Sequence, residues 1–101
     1  NLAVGDGATI TISGDMRVEV ARELDAIRAL LNASEIPADQ KNELAGAVET
    51  IETEAKSEKA DKAKVTSAMN ILEQATKVGG GLVDFGVKLA PHVAGLAGFL
   101  L

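Results

Sequence analysis

Residues 8–31 read ATITISGDMRVEVARELDAIRALL, and the spacing of the apolar side chains changes within this stretch. From Ala8 to Ile12 apolar residues alternate with threonine, which is typical of a half-buried β-strand. From Met16 onward apolar residues recur every three or four positions, which predicts an amphipathic α-helix. This stripe consists of Met16, Val20, Leu24, Ile27 and Leu31. Ser13, between the two patterns, offers a helix cap, so a strand is expected to lead directly into a helix.

The residues before this stretch predict a β-hairpin over 2–12. Residues 5–7 read Gly-Asp-Gly, and these residue types tolerate the positive φ that a tight hairpin turn requires. The partner strand is then expected at residues 2–4. Because a lone two-stranded hairpin is marginal in water, we expect it to pack on another part of the protein or to pair with a neighbouring chain.

Four helices are predicted, over 16–33, 38–56, 62–78 and 82–100. The second and third carry the apolar stripes Leu44, Val48, Ile51 and Ala55, and Val65, Met69 and Leu72. Mixed charges at 56–61 predict a solvated turn with Asp61 as the next helix cap, and three glycines at 79–81 predict a break. The predicted fold class is mainly α: a short N-terminal β-hairpin followed by a three- to four-helix bundle in a single domain, 1–101.

Composition excludes several classes of function. The formal net charge is −5, which argues against nucleic-acid binding, where a basic surface supplies most of the affinity. Aromatic residues make up 2% of the chain, too few for the usual walls of a ligand pocket, so no small-molecule substrate is expected. The chain contains no cysteine, which excludes disulfides and cysteine metal sites and fits the cytoplasm.

Catalytic residue patterns are missing from the sequence. His92 is the only histidine, so neither a zinc site nor an oriented base can be assembled around it. Three acids in the charged run, Glu49, Glu52 and Glu54, have no apolar surroundings to raise a carboxyl pKa. We therefore expect no enzymatic activity, no cofactor and no metal.

The last predicted helix is apolar around more than half of its circumference. Its main stripe consists of Leu82, Phe85, Leu89, Val93, Leu96 and Leu100. Asp84, Lys88 and His92 follow one another at four-residue spacing on a polar strip. A second four-residue series, Ala90, Ala94 and Gly98, is flat enough for close approach by another helix. Such a helix needs cover on two sides, one from its own core and the other from a partner chain or lipid.

Two segments carry a resemblance to a known class of proteins. Residues 4–12 (Val-Gly-Asp-Gly-x-Thr-Ile-x-Ile) and the Gly-, Ala- and Leu-rich residues 82–101 resemble small bacterial accessory modules. These segments cover about a third of the chain. The resemblance implies self-assembly without catalysis, and it transfers no functional residue to this sequence.

The leading functional hypothesis is a non-enzymatic, self-associating module, either a homo-oligomer or a filament subunit. The residues predicted to meet the partner come from the hairpin and the last helix: Val4, Ile10, Ile12, Leu82, Phe85, Leu89, Val93, Leu96, Phe99 and Leu100. The alternative is a small membrane-active protein, a pore-former or interfacial anchor, acting through residues 82–101. No secretory signal is recognisable over residues 1–12, so a cytoplasmic location is expected, with a membrane-associated or exported protein as alternatives.

Overall fold

The computed structural model describes residues 9–77 and 83–100. Its elements, in chain order, are β1 (Thr9–Thr11), α1 (Gly14–Ala33), α2 (Ala38–Ala55), β2 (Lys59–Asp61), α3 (Lys62–Ala75) and α4 (Val83–Leu100). The four helices lie where the apolar stripes predicted them: four of their eight ends coincide with the prediction and the other four differ by one to three residues. The predicted partner strand at 2–4, the turn at 5–7 and the glycine break at 79–81 lie outside the described residues.

Side-chain caps begin two of the helices, as predicted. The Ser13 hydroxyl accepts a hydrogen bond from the Met16 backbone N–H at 3.1 Å, at the start of α1. The Asp61 carboxylate accepts from the backbone N–H groups of Ala63 at 2.9 Å and Lys64 at 3.3 Å, at the start of α3. Each cap satisfies donors that the first turn of a helix leaves without a partner.

Among the described residues, β1 pairs with β2, which lies far along the sequence. The two strands are antiparallel, with Thr9 opposite Asp61, Ile10 opposite Ala60 and Thr11 opposite Lys59. This corrects the prediction that residues 56–61 form only a solvated turn, because the last three of them are a strand. Lys, Ala and Asp have low β-propensity, but strand pairing and burial override it, and Ala60 is fully buried.

The helices form a bundle in which each one packs on two neighbours, in the ring order α1, α2, α3, α4. The predicted stripes all face one continuous core, to which each helix contributes and which Ile12 and Ala60 extend towards the sheet. The predicted fold class is therefore confirmed: mainly α, with a short two-stranded antiparallel element beside a helical bundle.

Two polar contacts join α1 to α2. The Arg28 guanidinium donates two hydrogen bonds of 2.8 Å, one to each carboxylate oxygen of Glu52. The Arg17 Nε donates to the Ala55 carbonyl at 3.0 Å, at the end of α2. The hydrogen bond from Arg28 lowers the pKa of the Glu52 carboxyl, and the same bond raises the pKa of Arg28. These contacts hold α1 against α2 at two points.

Candidate functional site

Most residues predicted to meet a partner lie in the core of the chain itself. The α4 members Phe85, Leu89, Val93, Leu96 and Leu100 are all buried, and so is Ile12 beside the sheet. Ile10 is partly buried against the same core. Val4 and Leu82 lie outside the described residues. The structure thus brings these five α4 residues together on one face, which we call the core face.

Burial of the core face leaves its side chains little surface for contact with a partner. Leu89 and Leu96 have no exposed surface, so a partner chain cannot contact them without unfolding the bundle. Large apolar side chains gain most from leaving water, and α1 and α3 already cover them. Phe99 alone among the described members stays exposed, at 36%.

The opposite side of α4 is also apolar, but it faces solvent. Its residues follow one another at spacings of four, three and four: Val87, Pro91, Ala94 and Gly98, with Ala90 beside them. All five are exposed, and Val87 is the most exposed large apolar residue in the described chain, at 65%. We call these five residues the outer face. It includes the Ala90, Ala94 and Gly98 series that the sequence indicated as a flat surface for another helix.

Three glycines lie on α4, at positions 86, 95 and 98. At the first two a side chain would meet other residues of the chain, whereas at the third it would meet none. A Cβ built at Gly86 would lie 3.0 Å from the Thr76 carbonyl oxygen, so Gly86 lets α4 approach the end of α3. A Cβ at Gly95 would meet the Glu23 side chain. At Gly98 a Cβ would have no atom within 4 Å, and glycine within a helix costs about 1 kcal/mol relative to alanine.

Pro91 is a second costly residue on the outer face. It lies inside α4, where proline cannot donate the hydrogen bond that the carbonyl four residues earlier, at Val87, would normally accept. Proline in a helix interior costs about 3 kcal/mol, and this is best tolerated where water can reach the freed carbonyl. The outer face therefore carries two residues, Pro91 and Gly98, that are poor choices for the helix alone.

A polar strip separates the outer face from α1. Asp84 and Lys88 form the predicted ion pair, at 3.3 Å. His92, which the sequence placed on the same strip, lies 3.4 Å from a Glu23 carboxylate oxygen of α1, with both side chains about a quarter to a third exposed. The charges that border the outer face are thus partnered within the chain.

The described surface has an open groove of about 860 Å³ between α2 and α3. Its lining includes small residues, of which Ala47 and Ala68 are buried and Gly46 and Ser67 are exposed. A Cβ built at Gly46 would have no atom within 4 Å. The groove is a second surface where a helix-interior glycine has no packing role in the chain. We call it the α2–α3 groove.

The chemistry available on the described surface is limited. No polar or charged residue is buried in the part of the chain that the structure covers. Within the same residues no group of three or more His, Asp or Glu side chains could hold a metal ion. Of the described helices, none is both long and apolar enough to cross a membrane. The described surface features that remain are the outer face and the α2–α3 groove.

Sequence reasoning missed two parts of this arrangement. It assigned the core face of α4 to a partner, although the larger side chains on that face were a signal for the core. It also missed the α2–α3 groove, for which the isolated Gly46 inside the second predicted helix was the available signal. Comparisons with protein-family models, with curated proteins and with solved structures gave no match to this chain.

Proposed function

We propose that the chain is a non-enzymatic module that self-associates through the outer face of α4. The observation that carries the proposal is the contrast between this face and the other exposed helix faces. The outer face has five exposed residues and no charge, whereas exposed positions on α1 and α2 include Arg22, Asp25, Glu43 and Glu49. Two uncharged faces can meet without burying an unpaired charge.

A second copy of the chain fits the outer face by size as well as by polarity. If two α4 helices run antiparallel with the two-fold axis between Pro91 and Ala94, Val87 of each copy lies opposite Gly98 of the other. The largest side chain of the face then meets the residue that has none, and the backbones can approach closely. Such a contact is isologous, so it closes as a dimer and does not extend into a filament.

The contact is expected to be weak. From Val87 to Gly98 the helix rises about 17 Å, so one helix face buries much less than the ~800 Å² per partner of a standard stable interface. Each copy also carries a formal charge of −5, and the two copies repel each other. Because salt screens that repulsion and leaves the apolar contact intact, dimerisation should strengthen as NaCl concentration rises.

Sedimentation equilibrium tests the proposal over ~10 µM to ~1 mM, which spans the affinities of weak interfaces. The wild type should show a reversible monomer–dimer equilibrium. Ala94→Glu places a charge at the centre of the outer face and should weaken dimerisation at least ~10-fold. The matched control is Ala45→Glu, which makes the same charge change at an exposed position of α2.

Three results would overturn the proposal. The first is a wild type that stays monomeric throughout the concentration range. The second is a dimer that Ala94→Glu and Ala45→Glu affect equally, since the effect would then come from net charge. The third is a dimer that dissociates as salt is added, since the contact would then be electrostatic.

A further inference from the structure

We draw no further inference here: the strongest candidate, the open groove between α2 and α3, rests on small lining residues and exposed acids, and nothing in the described part of the chain shows what covers it.

Discussion

The two sides of α4 are both apolar, yet the bundle covers only one of them. The core face carries Phe85, three leucines and Val93, whereas the outer face carries one valine, one proline, two alanines and a glycine. Burial of a large side chain removes more apolar surface from water, so the larger set takes the core. Side-chain size, rather than apolar character alone, therefore indicates which side of such a helix belongs to the fold.

The two faces should differ most in what they contribute to stability. Leu96→Ala removes a side chain that is fully buried on the core face and should lower the free energy of unfolding by about 2–5 kcal/mol. Val87→Ala on the outer face, where the side chain is 65% exposed, should lower it by less than about 0.5 kcal/mol. Urea denaturation measures both. Equal losses would contradict the assignment of the faces.

Glycine substitutions extend the contrast between the faces to the backbone. Gly86→Ala brings a Cβ to 3.0 Å from the Thr76 carbonyl oxygen, so α4 and α3 must move apart, and we expect a loss of about 1–3 kcal/mol. Gly98→Ala adds a methyl group in open space and should gain up to ~1 kcal/mol from helix propensity. Thermal unfolding of the two variants should show a loss of stability for Gly86→Ala and a gain for Gly98→Ala. A gain of stability for Gly86→Ala would argue against close packing of α4 on α3 at that position.

Much of the fold could be predicted because its signals are local. The spacing of apolar residues within each helix indicated the four helices, and Ser13 and Asp61 indicated two caps. The pairing of β1 with Lys59–Asp61 could not be predicted, because the two strands are far apart in the sequence and Lys, Ala and Asp show no strand pattern. The bidentate contact of Arg28 with Glu52 is likewise a tertiary contact that helical spacing within either segment does not reveal.

The candidate site was predicted only in part. The sequence indicated that the last helix is too apolar for one covered side, and it indicated a flat series of small residues at Ala90, Ala94 and Gly98. It did not indicate which side the bundle covers, since both sides satisfy the same helical period. Only packing in three dimensions, with α1 and α3 against the core face, distinguishes them.

The contact between Arg28 and Glu52 has a smaller expected effect, and it tests whether dimerisation through the outer face depends on the contact between α1 and α2. The hydrogen bond from Arg28 lowers the pKa of Glu52 below its ordinary value of 4.5, so this pair stabilises the fold above that pH and the contribution is lost as pH falls through the lowered pKa. Both side chains remain more than a third exposed, which limits the contribution to about 1 kcal/mol or less.

Glu52→Gln should therefore have a lower free energy of unfolding than the wild type at neutral pH. This difference between the two proteins should shrink as pH falls below 4.5, where the wild type loses the contribution of the pair. Dimerisation at neutral pH should not weaken, because Glu52 lies on α2 and away from the outer face and the loss of one negative charge per copy reduces the repulsion. Urea denaturation across this pH range and sedimentation of the same samples measure the two quantities. Weaker dimerisation of Glu52→Gln would place part of the interface on α2.

Disulfide trapping is the direct test of an antiparallel contact between two outer faces, since the chain contains no cysteine of its own. Val87→Cys and Gly98→Cys chains are oxidised separately and as an equal mixture, with Ala45→Cys as the control for random collision. We expect the mixture to form a mixed dimer, joined between position 87 of one chain and position 98 of the other, faster than either variant alone forms its own dimer. Faster trapping within the single variants, or trapping no faster than in the control, would contradict the antiparallel contact.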